Sequence, residues 1–76
     1  MDSVSVAVLL DEAFRIVRNY PVAYHSRQYV LAEIARQMSS RHTVSLLPDK
    51  TLLIDGARVD VYHRGSDSIY EVRCWG

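Results

Sequence analysis

At His42 the spacing of apolar residues changes, and that change limits the fold more than any other feature of the chain. Before it, apolar side chains recur at every third or fourth residue, the spacing that lines one face of a helix. After it they recur at every second residue, the spacing of a strand with one buried face. The strands that follow are joined by short connections. They must therefore pair antiparallel, because a parallel pair needs a long crossover.

Two helices precede the change. Val6, Leu9, Leu10, Ala13, Ile16, Val17 and Tyr20 form one apolar stripe. Asp2 or Ser3 is placed to cap its start, where a side-chain oxygen accepts from the free N–H groups of the first turn. Pro21 ends it, since the residue before a proline is pushed out of the helical region. Ser26 caps a second helix over residues 27–39, with Val30, Leu31, Ile34, Ala35 and Met38 as its stripe. Ser39-Ser40-Arg41 breaks the pattern.

Four strands follow, predicted at residues 42–47, 51–54, 57–63 and 68–75. Pro48-Asp49-Lys50 suits a type I turn, with the proline presetting its backbone angle. Asp55-Gly56 is a two-residue hairpin signal, because both central residues of that turn take positive φ. A tight turn through Gly65 joins the last two strands. The fold class is α+β: two N-terminal helices packed on a four-stranded antiparallel meander, as one small domain spanning residues 1–76. Val44 or Leu46, Val59, Val61, Tyr70 and Val72 are the expected sheet side of the core.

A chain this short buries only about 60% of the surface its unfolded form exposes, so its core is thin. Its single cysteine, Cys74, forms no intrachain disulfide. A lone thiol fits a reducing compartment, so the expected location is cytoplasmic. A second copy of the chain or another protein is a common source of support for such a core, and a homodimer is one expected assembly. No apolar run approaches the roughly 18 to 20 residues that cross a bilayer, so no membrane partner is expected. Formal net charge is zero, so the whole-molecule field favours neither nucleic acid nor membrane. Eight of the nine basic residues are arginine, which suits bidentate contacts to phosphate or carboxylate.

The last hairpin, residues 57–75, carries the chemistry. Arg58, Asp60, Tyr62, Ile69, Glu71 and Arg73 alternate onto one face, and Ala57, Val59, Val61, Tyr70, Val72 and Cys74 onto the other. A turn at Gly65-Ser66 sets Asp60 opposite Glu71. Two facing carboxylates repel unless a cation lies between them. Mg²⁺ meets that need, since it is held by one or two carboxylates together with waters and phosphate oxygens. A turn at Ser66-Asp67 instead sets Asp60 opposite Arg73 as an ordinary cross-strand ion pair. Both registers are open to the sequence.

Asp60, followed eleven residues later by Glu71-Val72-Arg73, resembles the signature of the PD-(D/E)XK nuclease superfamily, which includes restriction-endonuclease-like and Holliday-junction-resolvase-like proteins. The resemblance covers residues 26–75 and implies a partial or degenerate member. It implies that Asp60 and Glu71 hold Mg²⁺, with the Val72 carbonyl as a further ligand. Arg73, where the family usually has lysine, would act on the water or the phosphate. Glu33 is the candidate for the acidic residue that the family carries on its preceding helix. The chemistry implied is metal-assisted phosphodiester hydrolysis. Arg41, Arg58 and Arg64 are the expected phosphate contacts on DNA.

His25, His42 and His63 are scattered and read as surface histidines, since metal sites need clustered ligands. Tyr20, Tyr24, Tyr29, Tyr62, Tyr70 and Trp75 are numerous enough to supply an interaction surface. Two functions therefore compete: a nuclease-like DNA-binding or DNA-processing domain, with catalysis left open, and a non-enzymatic protein-interaction module that uses its aromatic and arginine-rich surface or a sheet edge.

Overall fold

The computed structural model describes residues 3–76, with side chains from Val6 onward. The elements run α1 (Ser3–Val17), α2 (Arg27–Met38), β1 (Val44–Leu46), β2 (Leu52–Ile54), β3 (Ala57–Tyr62) and β4 (Glu71–Trp75). The strands lie in the order β1-β2-β3-β4, and each neighbouring pair is antiparallel. This is the expected α+β meander.

Both helices cover one face of the sheet. Leu9, Ala13, Ile16 and Val17 of α1 and Val30, Leu31, Ile34 and Met38 of α2 close over Leu52, Ile54, Ala57, Val59 and Val61, with Tyr70 beside them. Each helix thus buries its predicted stripe, with one exception. Leu10 is 39% exposed and lies with Phe14, which is 44% exposed, on the flank of α1 towards β4. A stripe that included Leu10 was too wide, because α1 meets the sheet over its outer strand and only part of its apolar surface faces the core.

The turns follow the predicted chemistry. The Ser26 side chain accepts from the Tyr29 N–H and caps α2. The proposed Asp2 cap of α1, and the side chain of Ser3, lie outside the described residues. Lys50 N–H donates to Leu47 C=O and closes the turn around Pro48. Asp55 and Gly56 take φ of 51° and 87°, the paired positive values a two-residue hairpin requires.

Three boundaries differ from expectation. The helical hydrogen bonding of α1 gives way after Val17 to tighter bonds from Asn19 to Ile16 and from Tyr20 to Val17. β1 is shorter than predicted because His42 turns aside into a polar cluster, and Leu46 is 64% exposed, leaving Val44 as the strand's contribution to the core. β4 begins at Glu71 rather than Ser68. The connection from β3 is a loop, residues 63–70, in which Gly65 takes a φ of 57°. Val22 N–H bonds to Ser68 C=O and the Tyr70 hydroxyl donates to His25 C=O, so that loop is tied to the connection between the helices.

Candidate functional site

The sheet face away from the helices carries Leu53, Arg58, Asp60, Tyr62, Glu71, Arg73 and Trp75, and no layer of the described chain covers it. Its register is fixed. Asp60 stands opposite Arg73, Tyr62 opposite Glu71, and Arg58 opposite Trp75. The structure adopts the register that sets Asp60 opposite Arg73, but the expected ion pair between them does not form, since Asp60 is paired with Arg27 instead. Asp60 and Glu71 are diagonal neighbours, which in such a ladder separates their Cα atoms by about 7–8 Å.

Asp60 is engaged by the fold. Arg27, at the start of α2, donates from Nη2 to Asp60 Oδ1 at 2.7 Å and from Nε to the Val61 carbonyl at 3.1 Å. Val61 N–H donates to the same Asp60 oxygen at 2.7 Å. The cause lies in the sheet. β2 pairs with β3 only as far as Val59, so the backbone of Val61 meets no strand on that side. Arg27 and Asp60 satisfy it instead. With Asp60 Oδ1 taken by Arg27 and the Val61 N–H, and Glu71 on the diagonal and not opposite, the two residues do not form the directly facing carboxylate pair expected from the Gly65-Ser66 turn. Among the described residues no group of three or more His, Cys, Asp or Glu side chains is placed to hold a metal ion.

The other candidate residues are spread out. Glu33 accepts from Arg36 at 2.6 Å, Tyr20 at 3.1 Å and Gln37 at 3.3 Å, and this network between the helices leaves it far from the open face. Arg36 is the main reason its carboxyl is held below the ordinary range. Arg41 pairs with Glu12 at 2.8 Å and Arg58 with Asp49 at 2.5 Å. Arg64 is exposed in the β3–β4 loop, past the end of the strand that carries Arg58. These three arginines do not form one patch. Val72 is half-buried on the helix side of the sheet.

What the open face does bring together is arginine and aromatic rings. The Arg58 guanidinium lies 5.8 Å from the centre of the Trp75 ring, and Arg73 lies 5.0 Å from that of Tyr62. Such pairs are favourable electrostatically and hold long side chains flat against the sheet.

A second polar cluster was missed at the sequence level. His42, read there as a surface residue, has a side chain only 14% exposed. Its Nδ1 lies 2.6 Å from Asp55 in the β2–β3 turn, and its Nε2 lies 3.0 Å from Glu12 on α1. Hydrogen bonding to Asp55 is the largest cause of its raised pKa, with Glu12 adding to the effect against the cost of burial. Arg41, beside Glu12, is the main cause of that carboxyl's lowered pKa, and the Thr43 N–H is the main cause of Asp55's. The cluster ties α1, the start of β1 and a hairpin turn together. Glu12, His42 and Asp55 lie 13 to 43 residues apart in sequence, so spacing alone gave no signal of the cluster.

No family model, curated protein or solved structure matches this chain.

Proposed function

We propose that the protein is a non-enzymatic protein-interaction module that binds through the uncovered face of its sheet. The observation that carries this reading is the pairing of Arg58 with Trp75 and of Arg73 with Tyr62 on that face. Arginine, tryptophan and tyrosine supply most of the strongly binding side chains at protein interfaces, and here they are held in place before any partner arrives. Leu53, opposite Arg58 on β2, adds apolar area beside the Arg58–Trp75 pair.

The charges of the same surface decide between partners. Arg27, Arg58 and Arg73 are balanced by Asp49, Asp60 and Glu71. A nucleic-acid surface needs an excess of basic groups to release counterions from the phosphate backbone, and this face has none. A protein surface of mixed charge is the better complement.

The test has two arms. Cross-linking capture is compared between the wild type and Trp75→Ala, and the reading requires a stoichiometric partner lost on that substitution. Binding and cleavage of single- and double-stranded DNA are measured with Mg²⁺ or Mn²⁺. Metal-dependent cleavage that disappears in Asp60→Asn or Glu71→Gln would overturn the reading in favour of the nuclease.

A further inference from the structure

The sheet has two outer edges, on β1 and β4, and the edge of β4 is the one flanked by exposed apolar residues of α1. β4 closes the sheet on one side and has β3 as its single neighbouring strand. Backbone groups of successive strand residues point alternately to the two sides. Ala57 pairs with Ile54 across the two-residue turn, so Ala57, Val59 and Val61 point towards β2, and Arg58, Asp60 and Tyr62 towards β4. Their partners Trp75, Arg73 and Glu71 therefore point inward, and Val72 and Cys74 present their N–H and C=O groups outward. No loop, turn or cap of the described residues bonds to either. Such an edge is a template for another strand.

We propose that a second copy of this chain occupies the edge, with two β4 strands pairing antiparallel about a two-fold axis through Val72. Charge selects this register. Glu71 and Arg73 flank Val72 on the open face, and neither forms an ion pair with another described residue. With the axis at Val72, Glu71 of each copy stands opposite Arg73 of the other, giving two complementary pairs. The axis moved to Glu71 or Arg73 would set like charges face to face, which is destabilising. Arg73 reaches over Tyr62 on one side and keeps guanidinium donors for a carboxylate on the other.

Apolar surface supports the same arrangement. A groove lined by Ala7, Leu10, Phe14 and Val72, with Asp11 and Glu71 also on its lining, runs beside this edge on the helix side. Leu10 and Phe14 are, with Val8, the large apolar residues of α1 that the chain's own core leaves exposed. Pairing about Val72 brings the two grooves together, so each copy covers the other. The assembly is isologous, as closed dimers are, and it turns two four-stranded sheets into one continuous sheet with a doubled open face. A net charge of zero puts little long-range repulsion in its way. This inference is independent of what binds the open face, because it is read by the protein's own mass.

The experiment is sedimentation or light scattering on the wild type and five variants, with circular dichroism to confirm folding. The wild type is expected to dimerise with concentration. Glu71→Arg and Arg73→Glu, each alone, set like charges opposite one another and should weaken the dimer by roughly tenfold or more. An equimolar mixture of these two variants restores both complementary pairs and should dimerise, as should the double exchange E71R/R73E. Glu71→Gln and Arg73→Gln give the smaller loss expected on removing attraction alone, and serve if a charge reversal fails to fold. A wild type that remains monomeric to about 1 mM would overturn the proposal and leave the edge to a different chain. A dimer indifferent to the charge reversals would overturn it equally.

Discussion

Arg27 and Asp60, on α2 and β3, are joined at 2.7 Å, and between them they satisfy both backbone groups of Val61 where β2 has ended. The pair is a plug for an open strand edge. Removing Asp60 strands the Val61 N–H and leaves the guanidinium without its partner. Asp60→Ala should therefore cost about 1–3 kcal/mol, the usual penalty for orphaning a buried donor. Asp60→Asn should cost less, since its amide oxygen can still accept from Val61. Glu71→Ala should change stability by no more than about 0.5 kcal/mol. Urea unfolding of the three variants checks this. Carboxylates kept for metal binding would behave alike, and loss of either would leave the apo protein as stable or more stable, so equal responses would remove the structural role assigned to Asp60.

The His42 cluster makes stability depend on pH from both sides. The folded-state pKa of His42 is raised, so its contribution is complete below the ordinary histidine value of 6.5 and is lost as pH rises through the raised value. Those of Glu12 and Asp55 are lowered, so their contribution is complete above 4.5 and 3.8 and is lost as pH falls through the depressed values. The melting temperature should accordingly be highest between about pH 4.5 and 6.5 and fall on either side. In His42→Asn the fall on the alkaline side of that window should flatten. Thermal melts of both proteins across pH measure it, and an unchanged alkaline limb would mean that His42 is not its source.

Tyr70 links the two long connections. Its ring is in the core, 6% exposed, and its hydroxyl donates to the His25 carbonyl at 2.8 Å. Tyr70→Phe keeps the packing and removes the bond, leaving a partly buried carbonyl without its donor. A loss of about 1 kcal/mol is expected. The same change should loosen the neighbouring bond from Val22 N–H to Ser68 C=O. Hydrogen exchange at the Val22 amide reads that effect, and exchange there as slow as in the wild type would show that the loops are held together without Tyr70.

The layers of this fold were legible because periodicity and turn chemistry are local. The α2 stripe, the Ser26 cap and the positive φ values at Asp55-Gly56 each depend on a few adjacent residues. The hairpin register was not legible. Gly65 marks a turn, and the turn it marks belongs to a longer loop whose Ser68 and Tyr70 are tied to Val22 and His25, residues in the connection between the helices. That loop decides that Asp60 faces Arg73 instead of Glu71. Arg27 was unremarkable in the sequence for a related reason. Its role depends on β2 being too short to cover Val61, a property of the assembled sheet and not of the residues near Arg27.

Asp55 performs two tasks that substitution can separate. It takes the left-handed backbone of the turn, with φ of 51°, and its carboxylate accepts from Thr43 N–H at 2.9 Å and faces His42 at 2.6 Å. Asparagine tolerates the same backbone, and its amide oxygen can still accept from Thr43. It carries no charge for His42. Asp55→Asn should therefore keep the β2–β3 register and move the His42 pKa down towards its ordinary value, because the largest cause of the raised value is gone. Asp55→Ala loses the turn preference and both contacts, and should cost at least about 1–2 kcal/mol from the backbone alone. NMR titration of the His42 ring, with cross-strand contacts from Ile54 to Ala57 as the register check, measures both effects. A His42 titration that is the same in Asp55→Asn as in the wild type would shift the cause to Glu12, and the stability window would then follow α1 rather than the turn.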